Sequence, residues 1–175
     1  MKATSPPEST GFDPVRLVED HQAGVWRYLR ALGCETNLAE DLTQDTFLKV
    51  LQRPFEEYST KATAAYLRRT AYNFLVSYQR RAGKVIAVEN VEEFDRTWSS
   101  WAGDDNGEAL LDALKDCFAH LGDRAKLALE MRFRDKESRA SIAERLDISE
   151  HGAKNLMQRA KHQLRECIDG KLIHD

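Results

Sequence analysis

Residues 138–165, SRASIAERLDISEHGAKNLMQRAKHQLR, decide the fold. A short helix from Ser138 to Leu146, the turn Asp147-Ile148-Ser149 and a longer helix to about Ile168 make a helix-turn-helix. In that motif the second helix enters the DNA major groove N-terminus first. Ala143 is small enough for the two helices to cross closely. Asp147 falls where the turn needs a left-handed residue, a conformation Asp tolerates better than most side chains. Ile148 plugs the space under the turn, and Ser149 caps the second helix, whose free N–H groups suit a phosphate. Beyond the cap, Glu150, His151, Lys154, Asn155, Gln158 and Arg159 face outward, while Ala153, Leu156, Ala160 and Leu164 form the core stripe. Arg and Lys pair with guanine edges, Asn and Gln with adenine, and Glu with cytosine.

Working toward the N-terminus, Leu111, Leu114, Phe118 and Leu121 mark one further helix, and Leu127 and Met131 lie on another at about 124–134. Residues 108–170 thus form one helical bundle. Residues 83–107 read as an acidic linker in which helical periodicity fades and Gly103-Asp-Asp-Asn-Gly107 breaks the chain. Its two tryptophans, Trp98 and Trp101, would either dock on a partner or pack on the protein's own bundles.

A second bundle fills residues 13–82. Asp13-Pro14 opens a helix to about Leu32 with Val18, Val25, Leu29 and Leu32 on one face, and Gly33 stops it. Asn37, with Glu40 three residues on, is placed to cap the next helix, whose inward stripe is Leu38, Leu42, Thr46, Phe47 and Val50. After the loop 53–61, which carries Phe55 and Tyr58, a third helix spans about 62–81 with Leu67, Ala71, Phe74 and Tyr78 inward. Residues 1–12 are Ser/Thr/Pro-rich and read as a disordered tail. The longest strand-like run is Lys84-Val-Ile-Ala-Val88, so the class is all-α: two small helical bundles joined by an acidic linker.

Charge is segregated. Residues 66–84 carry Arg68, Arg69, Arg80, Arg81 and Lys84 with no acid, a net +5; residues 85–108 carry seven acids against Arg96, a net −6; and residues 124–165 return to +5. Two basic blocks flanking an acidic one suit two sites for a polyanion, separated by a segment that avoids it. The same acidity makes 83–107 a poor neighbour for DNA and suggests a segment threaded through a basic channel of a partner. Three cysteines without a CxxC pair predict no disulfide framework and a reducing compartment. None of the five histidines has zinc spacing, no glycine-rich phosphate loop or nucleophile–base pair is visible, and no apolar run approaches the ~20 residues that span a bilayer. An enzyme, a cofactor, a metal site and membrane insertion are therefore not expected.

Three stretches in order resemble a known family. Leu38-Ala-Glu-Asp-Leu-Thr-Gln-Asp-Thr-Phe-Leu-Lys-Val-Leu51 resembles the AEDLxQETFLRAW-like helix of sigma factors, and residues 66–81 resemble their WLxxIARNxxxDxxRR helix. Residues 121–165 resemble sigma region 4. Two such regions with little between them are the layout of the extracytoplasmic-function group of the sigma-70 family. The resemblance implies a cytoplasmic factor that partners core RNA polymerase, promoter DNA and an anti-sigma factor. It would place Asp41, Gln44, Asp45 and Leu48 on the β′ clamp of the polymerase. Phe55, Tyr58 and Asn73 would capture an unstacked base of the −10 element, while Arg68, Arg69, Arg80 and Arg81 hold phosphates. Region 4 would dock on the β flap and read the −35 element through Ser149, Glu150, His151, Lys154, Asn155, Gln158 and Arg159. The sequence departs from the family at Tyr66, Ser77, Gly122-Asp123, Glu137, Arg139, Ala140-Ser141 and Gly152-Ala153, which touches flap docking and promoter choice rather than the fold. Two other functions fit parts of the chain: a helix-turn-helix regulator that does not partner polymerase, and a sigma mimic that titrates an anti-sigma factor.

Overall fold

The computed structural model describes residues 12–53, 56, 59–83, 90–103 and 105–172. Its described residues form eight helices and no strand, divided into two compact units, Met1–Gly107 and Glu108–Asp175.

In the first unit α1 (Pro14–Ala31) starts where Asp13 accepts hydrogen bonds from the backbone N–H groups of Val15 and Arg16. Gly33, at φ 92°, ends it by turning the chain so that the Cys34 N–H reaches the Leu29 carbonyl. That tight turn, with Arg30 donating to the Cys34 carbonyl, lets α2 (Thr36–Leu51) begin early. Glu35 is its cap residue and makes no side-chain cap bond, so Asn37 lies inside the helix and the Asn37/Glu40 capping box does not form. Ser59 caps α3 (Thr60–Arg81) by accepting from the Ala62 N–H.

The core of these three helices takes Leu17, Val25, Tyr28 and Leu29 from α1, Leu42, Phe47 and Val50 from α2, and Leu67, Ala71 and Leu75 from α3. Two side chains of the expected α3 stripe move outward. Phe74 is half-buried and Tyr78 exposed, because the buried positions Thr63, Leu67, Ala71 and Leu75 step by four throughout. Thr43 and Thr46 are buried without loss because each hydroxyl donates to the carbonyl four residues earlier.

Residues 91–107 correct the reading of 83–107 as an aperiodic linker. Asn90 caps α4 (Val91–Ala102) by accepting from the Glu93 N–H, and the helix lies on the first unit. Tyr28, 1% exposed, meets Phe94 at 5.6 Å and Trp98 edge-on at 5.7 Å between ring centroids. Arg68 holds the polar side of this cluster. Its Nε donates to Asp95 at 3.0 Å, its Nη2 donates to Ser99 at 2.7 Å, and its guanidinium lies over the Tyr28 ring. Burial, with Asp95 beside it, pushes the Tyr28 hydroxyl well above the ordinary phenol range. After α4 the chain is tied back onto α1. Asn106 donates from Nδ2 to the Asp20 carbonyl, and its own carbonyl accepts from Arg27. Gly24 makes room for this return, since a Cβ there would lie 2.5 Å from the Asn106 Oδ1. Of the two tryptophans it is Trp98 that completes a core, so α4 is not an extended strand awaiting a channel.

The second unit comprises α5 (Glu108–Ala119), α6 (Asp123–Phe133), α7 (Arg139–Leu146) and α8 (Glu150–Leu172). Leu129, Met131, Ile142, Ala143, Ala153 and Met157 form its central core, with Phe118, Ile148, Leu156 and Leu164 packed at the edge. α5 packs chiefly on α8. Cys117 of α5 and Cys167 of α8 are joined as a disulfide with their Cα atoms 5.9 Å apart, which corrects the expectation of no disulfide. Nothing in a 50-residue spacing announces such a pair; it exists because α5 lies along the far end of α8.

Truncating a buried tryptophan costs about 3–5 kcal/mol, more than a 12-residue helix held by a few side chains is expected to retain. Trp98→Ala should therefore release α4 while the three-helix core persists. Limited trypsinolysis checks this: cleavage at Arg96 should become at least tenfold faster, with α1–α3 still resistant.

Candidate nucleic-acid interface

The helix-turn-helix is built as its residue types require. Ser138 caps α7 by accepting from the Ser141 N–H. Asp147 adopts φ 52°, ψ 52°, the left-handed conformation, and the Ile148 N–H then reaches back to the Ala143 carbonyl. Arg124 adds a donor to the otherwise open Leu146 carbonyl at 2.7 Å, fixing α6 to the end of α7. Ser149 accepts from the Gly152 N–H at 3.0 Å and so starts α8. Gly152 has a local reason: a Cβ there would press on the Ser149 hydroxyl at 3.2 Å. The glycine that weakens helix propensity leaves the cap undisturbed.

Beyond this cap one side of α8 is spoken for and the other is open. Ala153, Met157 and Ala160 are buried, while Ser149, Glu150, His151, Lys154, Asn155, Gln158 and Arg159 are all exposed. Among the described residues, no hydrogen bond or ion pair engages the side chains of Lys154, Asn155, Gln158 or Arg159. Their donors are available to base edges.

On α3 the arrangement divides the expected set. Arg69, Asn73 and Arg80 are exposed and, at 100° per residue, fall within about 40° of one another around the helix. Arg81 is exposed nearby and donates to the Ser77 carbonyl. Arg68 points the other way. Its side chain is 11% exposed and committed to Asp95, Ser99 and Tyr28, so it is not open to solvent as Arg69 and Arg80 are. Sequence reasoning missed this because Asp95 is 27 positions away, and only docking of α4 brings the two together. Phe55 and Tyr58 lie outside the described residues, so nothing places them beside Asn73.

On α2, Asp41, Gln44, Asp45 and Leu48 are exposed at i, i+3, i+4 and i+7, one continuous face. Leu48 is 60% exposed, a large apolar side chain in an acidic setting. A shallow cleft of about 400 Å³ between α1 and α2 borders this face, shared by Gln44 with Gln22, Trp26 and Glu40. Among the described residues no group of three or more His, Cys, Asp or Glu is placed to hold a metal, and no helix is long and apolar enough to cross a membrane.

Fold and surface define a two-unit, all-helical protein of the helix-turn-helix class. Two family models match it in chain order: Sigma-70 region 2 over residues 17–85 and Sigma-70 region 4 over residues 111–164. The chain belongs to the extracytoplasmic-function group of the sigma-70 family. It is similar to the ECF RNA polymerase sigma factor SigL of Mycobacterium tuberculosis, 29% identical over 152 residues that cover 85% of each protein. It is also similar to the ECF RNA polymerase sigma factor SigE of Mycolicibacterium smegmatis, 32% identical over 80 residues, 46% of this chain and 31% of that one. Among solved structures, a chain of the RsbN–BldN complex is 22% identical with a TM-score of 0.33, covering 88% of this chain and 90% of that one.

The two arginine environments predict different phenotypes. Arg80→Ala should weaken binding to promoter DNA across sequences and flatten the log–log salt dependence by about 0.9, one phosphate contact. Arg68→Ala should leave that slope unchanged and instead speed trypsin cleavage at Arg96. A flattened slope in the Arg68 variant would return this residue to the phosphate-binding set.

Proposed function

We propose that this sigma factor confers promoter recognition on core RNA polymerase, with the first unit engaging the polymerase and the −10 element and the second reading the −35 element. The open recognition face of α8, Lys154-Asn155 and Gln158-Arg159 following a capped turn, carries this reading. Its side chains suit both purines of the major groove, and the groove admits a helix of this width.

The exposed α2 face supports the polymerase contact. Its Asp41, Gln44 and Asp45 suit a complementary basic surface, which steers association, and Leu48 supplies the apolar anchor that charge alone does not. The α3 face divides its work by residue type. Arg69, Arg80 and Arg81 bind phosphates and position the chain, while Asn73 can meet the edge of a base that has left the stack. Phe55 and Tyr58 are the aromatic candidates for stacking such a base. Region 4 would also rest on the β flap. The factor performs no chemistry of its own in this scheme, works in the cytoplasm with the polymerase, and is held in check by an anti-sigma factor. A regulator independent of polymerase would have little use for an α2 face of this kind, and a DNA-blind mimic would have little use for the open α8 face.

Promoter-specific run-off transcription tests the proposal: core polymerase plus this protein should give product that core alone does not. In the same assay, Gln158→Ala should change the preferred −35 sequence, with a mismatched base pair ordinarily costing about 1–3 kcal/mol. An unaltered preference would remove Gln158 from the reading set. Asn73→Ala should depress permanganate reactivity of the −10 thymines more than closed-complex formation. Normal thymine reactivity would leave Asn73 with no part in melting.

A further inference from the structure

The second unit joins α5 to the rest of its bundle mainly through α8. Its central core, built from α6, α7 and the first half of α8, stands without α5 except for Phe118 at the edge. α5 buries only Leu110, Ala113 and Cys117, a narrow strip with two small side chains, and it packs chiefly on α8, where the buried residue of the far half is Ile168. Two further ties hold it: the ion pair of Asp116 with Lys171 and the bond between Cys117 and Cys167. The ion pair is half-exposed, and the hydrogen bond from Lys171 holds the Asp116 carboxyl below its usual range. Exposed pairs contribute little. The covalent tie is the one link between α5 and α8 that a change of redox state removes, and the loop it closes contains all of α6 and α7 and most of α8.

We propose that Cys117 and Cys167 form a reversible thiol–disulfide site whose oxidised state staples α5 to α8 and holds the helix-turn-helix unit in its DNA-binding form. The two cysteines differ in the way exchange requires. Cys117 is 2% exposed, whereas Cys167 is half-exposed and open to a small reagent. The Cys167 thiolate attacks one sulfur of a low-molecular-weight disulfide such as oxidised glutathione, releasing one thiol and leaving a mixed disulfide. The Cys117 thiolate then attacks the Cys167 sulfur and expels the second thiol. Two protein thiols are oxidised, one small disulfide is reduced to two thiols, and the two protons lost by the protein thiols end on the two thiols released. Reduction runs the same steps backward. The third cysteine, Cys34, is buried in the first unit and its thiol is pushed up to about 11 by burial, so it takes no part.

A cross-link restricts the unfolded chain more as its loop lengthens, and this loop covers most of a small unit. Reduction should thus release α5 first and shift the unit toward forms that do not bind DNA. The assays use the full chain equilibrated across glutathione redox buffers, quenched in acid, denatured, alkylated with a maleimide and weighed intact. One alkyl group is expected at the oxidised end and three at the reduced end, in a single two-thiol step that Cys167→Ser abolishes. In the wild type, amide exchange over residues 108–119 should quicken at least tenfold on reduction, and Kd for a −35 duplex should rise at least threefold at fixed salt. Three alkyl groups at every buffer ratio would overturn the proposal. So would a disulfide that forms but leaves exchange in α5 unchanged, or equal DNA affinity in both states. The DNA arm rests on the proposed reading of α8. Failure to bind in either state would sink that reading and the DNA half of this proposal together, leaving the thiol count and α5 exchange to decide the staple.

Discussion

A unit of three short helices buries too little apolar surface to be secure by itself, since the fraction of surface removed from water falls as a domain shrinks. Both units of this protein meet that constraint by adding one helix to a three-helix core, and much else in the structure follows from how each addition is held. In the first unit α4 is held by long side chains: Tyr28 packs against Phe94 and Trp98, and Arg68 bridges to Asp95 and Ser99. In the second, α5 buries Leu110, Ala113 and Cys117 along α8, and a covalent bond from Cys117 to Cys167 adds to that strip.

The added helices reshape the charge pattern that the binding surfaces inherit. The acidic stretch takes part in the packing of the first unit. One of its carboxylates neutralises an arginine of the basic helix beside it, at a site shielded enough for the pair to matter. What remains open on α3 is a narrower basic face, Arg69 and Arg80 with Asn73 between them.

On α8 buried and exposed positions are divided by helix geometry alone. With 3.6 residues per turn, Ala153, Met157 and Ala160 occupy the buried side, so Lys154, Asn155, Gln158 and Arg159 have no choice but the outer one. Small buried residues bring α8 close to α7, and the left-handed Asp147 sets the angle between them. Gly152, which departs from the family pattern, lies under the hydroxyl that caps the helix, where a larger residue would crowd Ser149.

The sequence by itself determined the all-helical class, the three helices of the first bundle, the helix-turn-helix with its Asp147 turn and Ser149 cap, and the outward residues of α8. These are local properties: a period of 3.6, a capping hydroxyl and a left-handed turn each depend on residues within a few positions of one another. It also carried the signal for α4, with Asn90 as cap and Val91, Phe94, Trp98 and Ala102 at helical spacing, beneath acidic residues that suggested a linker. The capping box at Asn37 failed because the turn at Gly33, set by the end of α1, decides where α2 begins. Tertiary structure alone decided that Arg68 pairs with Asp95, that Trp98 completes a core, and that Cys117 meets Cys167. Each joins residues 27 to 70 positions apart, and no local pattern encodes a meeting that only helix packing brings about.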